Sequence, residues 1–119
     1  MKYYLVSSCL LGVKSRYDGT DVLKPSLTKS LKNKPVLLIC PEKLGGLRTP
    51  RLPAQIVPRD KGRKVGGIDV LSGQARVCNQ RADVTAQFIK GARRVMDIIK
   101  HGKIGIAGAY LKARSPSCG

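Results

Sequence analysis

Tryptophan is absent and phenylalanine occurs once, so with four tyrosines this 119-residue chain has few aromatic rings. A platform for stacking bases, of the kind single-strand binders use, is therefore poorly supplied. Acidic residues are also scarce: seven Asp and Glu stand against 23 Lys and Arg, a formal net charge of +16. Glu42 is the only glutamate. No apolar run approaches the length of a membrane span. Met1-Lys2 leads straight into Tyr3-Tyr4-Leu5-Val6, without a signal-peptide core or cleavage site. The expectation is a cytoplasmic protein whose thiols stay reduced, with no membrane partner. The four cysteines contain no C-x-x-C pair, the spacing zinc usually takes. The single histidine, His101, sits at a helix end with no ligand-type neighbour in sequence and is not read as a ligand. Such a charge attracts anions in a salt-dependent way, nucleic acid among them. The plainer reading is a basic solvated surface.

What is present reads as one α/β domain over 1–119. Tyr3 to Ser7 forms a buried first strand. Pro25-Ser26 opens a short amphipathic helix that fades by Asn33, and Val36-Leu37-Leu38-Ile39 forms a second strand. Residues 48–66 are rich in Arg, Pro, Lys and Gly and read as a basic, loop-like excursion over the site. Ile68 to Leu71 and Ala75 to Val77 flank Ser72-Gly73-Gln74, which suggests a small hairpin. Asp83 is suited to cap the longest helix, about Val84 to Lys100, with Val84, Phe88, Ala92, Val95 and Ile99 on one face. Ile104 to Ala109 reads as a third buried strand. The alternation predicts a mainly parallel sheet flanked by helices, a Rossmann-like three-layer architecture.

Sites in parallel sheets lie beyond the carboxyl ends of the strands. Cys9 follows the first strand, Cys40 the second and Cys118 the last. A parallel sheet therefore brings three thiols to one edge. Beside Cys40 stands Glu42, then Gly45-Gly46, Arg48 and Arg51. Three cysteines on three loops can hold zinc or an iron–sulfur cluster. A cubane on three thiolates keeps one iron open as a Lewis acid for substrate sulfur. Cys78 lacks a strand-end position and reads as an ordinary half-buried thiol.

Several blocks together carry a resemblance. They are Val6-Ser7-Ser8-Cys9-Leu10-Leu11-Gly12, Arg16-Tyr17-Asp18-Gly19, Cys40-Pro41-Glu42 with Gly45-Gly46-Leu47 and Pro50-Arg51, Asp83-Val84-Thr85, Gly91-Ala92, and Leu111-Lys112 with Ser115-Pro116-Ser117-Cys118-Gly119. In this order they resemble the bacterial family long called domain of unknown function 523, which includes the thiouracil desulfurases. The resemblance implies a 4Fe–4S cluster on Cys9, Cys40 and Cys118, used without net redox to remove sulfur from a thiolated pyrimidine. It implies Glu42 as acid/base, with Ser115 or Ser117 as a second catalytic residue. Arg16, Asp18, Arg48 and Arg51 are candidates for holding the substrate. Three departures stand out: Ser15 where many members carry cysteine, Gln55 where members commonly have glutamate, and an end at Gly119 where the family continues. A chain truncated there is expected to fix Cys118 weakly. The competing reading is a small basic module that binds RNA or nucleotides and uses its cysteines structurally.

Overall fold

The computed structural model describes residues 2–59 and 64–118. The elements are β1 (Lys2–Ser7), a 3-10 turn (Ser8–Leu11), α1 (Pro25–Ser30), β2 (Val36–Ile39), α2 (Pro41–Leu44), β3 (Gln55–Pro58), α3 (Gly67–Ser72), β4 (Ala75–Cys78), α4 (Thr85–His101) and β5 (Gly105–Tyr110). The main sheet has the order β2-β1-β5 and is parallel throughout. All three strands of the predicted sheet are present. In register, Ser7 lies opposite Ile39 and Val6 opposite Tyr110, so the three carboxyl ends stand level.

Two apolar clusters hold the chain. Val6, Leu10 and Leu31 are buried with Tyr4, Leu27 and Val36 packed around them, which fixes α1 to the sheet. Val70, Ala75, Val77, Val84 and Phe88 form the second cluster, under α3, β4 and α4. Pro25 at the start of α1 has the φ a helix needs and no N–H to leave unpaired.

Two local expectations change. Residues 67–72 form a helix, not a hairpin strand, and β4 pairs antiparallel with β3 instead. The helix is favoured because Asp69 Oδ2 accepts the Gly66 N–H at 2.8 Å. Gly73 then closes it at φ +83, a conformation glycine adopts without steric cost. Residues 55–58, expected as loop, supply the other strand. Pro58 is tolerated at its end because this two-stranded sheet is all edge. The rest of the excursion is irregular where described, and residues 60–63 lie outside the described residues.

Helix α4 begins at Thr85, one residue later than expected. Val84 N–H is still donated to the Val77 carbonyl at 2.8 Å, and Asp83 bridges to Cys78, so the chain stays strand-like up to that point. Asp83 nonetheless serves the helix start, since its Oδ1 accepts the Thr85 N–H at 2.9 Å. Hydrogen bonds from Thr85 hold its carboxyl below the usual aspartate range.

The contact that sets the site is α2 against α4. A Cβ at Gly45 would land on the backbone carbonyl of Gln87, and one at Gly91 on the carbonyl of Pro41. Arg94 Nη1 also donates to the Leu44 carbonyl at 2.8 Å and closes the end of α2. Backbone cannot yield as a flexible side chain can, so overpacking here costs about 3 kcal/mol or more. Gly91→Ala is expected to lower unfolding free energy by that amount in urea titrations. Gly67→Ala, where a Cβ meets nothing within 4 Å, should change it by less than about 1 kcal/mol. Equal effects of the two substitutions would refute the close crossing.

Candidate active site

One cavity of about 180 Å³ lies beyond the carboxyl ends of the parallel strands. Ser7, Ser8 and Cys9 line it from the end of β1 and the turn that follows. Ile39, Cys40 and Glu42 come from β2 and α2. Lys112 and Arg114 to Cys118 come from the segment after β5. Arg16 and Arg51 also line it. Eight of the ten residues singled out from sequence thus meet in one place: Cys9, Cys40, Cys118, Glu42, Ser115, Ser117, Arg16 and Arg51. Asp18 and Arg48 are not among the lining residues. Asp18 Oδ1 accepts from the N–H and hydroxyl of Thr20, closing its own turn, and these bonds hold its carboxyl low. Arg48 contributes its backbone carbonyl, which accepts from Arg51 Nη1 at 3.1 Å.

Arg51 is the centre of the polar network. Its Nε donates to Glu42 Oε1 at 3.1 Å, with the two side chains only 9% and 14% exposed. Nη2 donates to the Ser15 carbonyl at 3.0 Å, and Nη1 also donates to Thr49 Oγ1 at 3.2 Å. The Arg51 N–H is donated to the Tyr17 carbonyl at 2.6 Å. All three guanidinium nitrogens are thus engaged by the protein. Shielding from water makes such a pair stronger than a surface one, and breaking it costs more.

The other oxygen of Glu42 faces Ser117. Oε2 accepts the Ser117 hydroxyl at 3.1 Å. Ser115 is placed differently: its Oγ accepts the backbone N–H groups of Ser117 and Cys118, each at 3.3 Å. The two hydroxyls are 3.1 Å apart. Ser115 pins the turn, and Ser117 faces the carboxylate. These bonds also tie the Cys118 backbone into the site.

The Cys9 thiol feels the other two. Burial pushes the Cys9 thiol up, and the neighbouring Cys118 and Cys40 push it further, while Lys112 opposes them. Cys40 Sγ donates to the Ser15 carbonyl at 3.8 Å. Among the described residues, no three His, Cys, Asp or Glu groups are set to share a single metal ion. A multi-iron cluster is wider than one ion and spreads its ligands further. Three soft thiols around one cavity, with Cys118 and Cys40 disfavouring charge on Cys9, suit a cationic soft-metal core that would relieve that repulsion. Cys78 lies in β4 opposite Gln55, and His101 is exposed at the end of α4; neither lines the cavity.

Sequence reasoning missed the buried hydroxyls of Ser7, Ser8 and Ser15, and the contribution of Lys112 and Arg114 to the lining. Serine in a loop carries no signal of burial. The available hints were position alone: Ser7 and Ser8 lie in the block around Cys9, and Ser15 stands next to the Arg16-Tyr17-Asp18-Gly19 block.

Among the described residues, no helix is long and apolar enough to cross a membrane. The protein is similar over its whole length to a solved 4Fe–4S-dependent thiouracil desulfidase, TudS. The TM-score is 0.72 and the identity 34%, covering 100% of this chain and 69% of that one. It is 38% identical over 116 residues to the uncharacterized protein YbbK of Bacillus subtilis (strain 168), covering 97% of this chain and 72% of that protein. The family profile described as 2-thiouracil desulfurase matches residues 4–119, from β1 through the last cysteine of the site. The chain belongs to the 2-thiouracil desulfurase family.

Proposed function

We propose that this protein hydrolyses the C–S bond of a thiolated pyrimidine of the thiouracil type and releases sulfide. It would use a 4Fe–4S cluster held by Cys9, Cys40 and Cys118. The observation that carries the reading is one cavity lined both by three strand-end thiols and by a carboxylate hydrogen-bonded to a serine. Family membership and the likeness to TudS support the same chemistry. A cytoplasmic setting, where thiols stay reduced, suits it.

In the net reaction, water supplies the oxygen that replaces sulfur on the ring carbon. A C–O bond forms, the C–S bond breaks, and sulfur leaves as sulfide without net electron transfer. When bound, the cluster would supply a Lewis-acidic iron to draw charge from the thiocarbonyl. The protein handles the protons. Glu42 Oε2 is the base, reached directly or through Ser117 Oγ, and returns its proton as the sulfur departs. Arg51 holds Oε1, so the carboxylate cannot turn away. Ile39, Pro53, Ala54 and Pro116 form the apolar walls and limit water to the reacting centre. With Arg51 committed to the protein, Arg16 is the better candidate for a substrate carbonyl or phosphate. Its guanidinium rests 5.6 Å from the Tyr17 ring centroid and, among the described residues, makes one long bond, 3.4 Å, to Thr20 Oγ1.

Anaerobic reconstitution with iron and sulfide is expected to give a visible thiolate-to-iron absorbance and thiouracil turnover. Cys40→Ser should lose both; absorbance and turnover that survive this substitution would remove the cluster assignment. Glu42→Gln should keep the absorbance and lose about 100-fold or more in kcat. Ser117→Ala should follow it. Ser115→Ala should instead lower stability by about 1 kcal/mol through its two lost backbone partners. Loss of kcat from Ser115→Ala alone would reverse the assignment of the two serines.

A further inference from the structure

The wall of the cavity contributed by β1 and the turn and loop that follow it is unusually polar for buried structure. Ser7, Ser8 and Ser15 all line it and are 2%, 7% and 3% exposed. Hydroxyls taken out of water are costly unless their hydrogen bonds are replaced. Ser7 has a structural partner, since its Oγ accepts the Lys112 N–H at 2.9 Å and ties the end of β1 to the segment after β5. Ser8 and Ser15 face each other, with their oxygens 2.7 Å apart. Beyond that bond, the contact the pair makes among the described residues is a long one, 3.4 Å, from Ser15 Oγ to the Val13 carbonyl.

Two hydroxyls carry two protons and four lone pairs. Their mutual bond uses one of each, and the Val13 carbonyl takes at most one further proton. Lone pairs are left over in every arrangement, and a proton in some. This spare capacity borders the same cavity as Cys9. It also differs from the carboxylate side of the cavity, where Glu42 is bonded to both Arg51 and Ser117. The position of Ser15 is fixed as well: its carbonyl accepts from both Arg51 Nη2 and Cys40 Sγ. Its hydroxyl is therefore held in a set relation to the carboxylate's partner and to a thiol of the site.

Resting on the desulfurase reading for the substrate class, we propose that the Ser8–Ser15 hydroxyl pair recognises the polar edge of the pyrimidine. A thiouracil ring presents an N–H beside a C=O, a donor next to an acceptor. Two hydroxyls in contact offer an acceptor next to a donor. Such a pair fixes which ring edge enters and thus which carbon faces Glu42. A site built on hydrogen bonds rejects rings that lack them, because its own buried groups are then left unpaired.

The test uses the reconstituted full chain. Ser15→Ala and Ser8→Ala are each expected to raise the KM for thiouracil about tenfold, with a much smaller effect on kcat. The double variant should be no worse than either single one, since the pair acts as a unit. Equilibrium dialysis with uracil supplies a readout independent of turnover, and its Kd should rise by the same factor. Wild-type protein should bind uracil at least about tenfold more tightly than 1-methyluracil or 3-methyluracil, and Ser15→Ala should narrow that gap. Unchanged KM and uracil affinity in both single variants would overturn the proposal, above all if melting temperature fell instead, which would mark the pair as a tie between loops. Turnover with unchanged KM leaves the desulfurase reading standing and removes this one. Uracil binding that needs Ser15, without any thiouracil turnover, does the reverse. No uracil binding and no turnover by the wild-type protein removes both.

Discussion

The backbones of α2 and α4 meet with no side chain between them, and the site rests on that meeting. Gly45 and Gly91 are the two positions where a Cβ would strike the opposing carbonyls. Helices this close gain dispersion along their whole contact, and they hold a fixed distance because neither backbone can give. The Arg94 bond to the Leu44 carbonyl adds a tether at the end of α2. Helix α2 is a single turn and could not persist alone, since a short helix gains too few hydrogen bonds to offset its nucleation. It is held at one end by β2 and along its side by α4. It thereby links the two apolar clusters, one under α1 and one under α3 and α4. Glu42 sits on this turn, and its position is inherited from both halves of the fold.

Charge then organises what the backbone brings together. In a chain of net charge +16, the one glutamate is paired with an arginine that is itself held by four other groups. The pairing holds Glu42 Oε1 in a shielded place and leaves Oε2 for Ser117. Opposite it, burial and the neighbouring Cys118 and Cys40 push the Cys9 thiol up. The fold holds them there through backbone and packing forces. A metal core binding such a group would gain strength from the repulsion it removes, which couples cofactor binding to stability. The carboxylate and one of the thiols lie two residues apart, Glu42 and Cys40, so these two sides of the cavity cannot drift apart.

Strands β1, β2 and β5 were legible because each is a compact apolar run bounded by turn residues, and local patterning is enough to identify such runs. Their parallel arrangement then made the gathering of Cys9, Cys40 and Cys118 a consequence of chain direction alone. Glu42 and the two serines were legible from the blocks around the cysteines. The stretch 67–72 misled because four apolar or acidic residues cannot separate helix from strand by period. The decision lay in the Asp69 bond to Gly66 and in the partner available to β4, which sits 20 residues back at Gln55 to Pro58.

By itself the sequence determined the strands, the edge at which the thiols meet, the family-like blocks and the scarcity that makes Glu42 singular. Only the tertiary structure decided how those parts act on one another. It turned Arg51 from a free cation into the clamp on Glu42, assigned Ser117 to the carboxylate and Ser115 to the turn, and set Asp18 and Arg48 outside the cavity lining. It also buried Ser8 against Ser15. The physical reason is the same in each case. A strand or a turn is settled by neighbours a few residues away, whereas a hydrogen-bond partner is settled by which distant segment the packed core carries into reach.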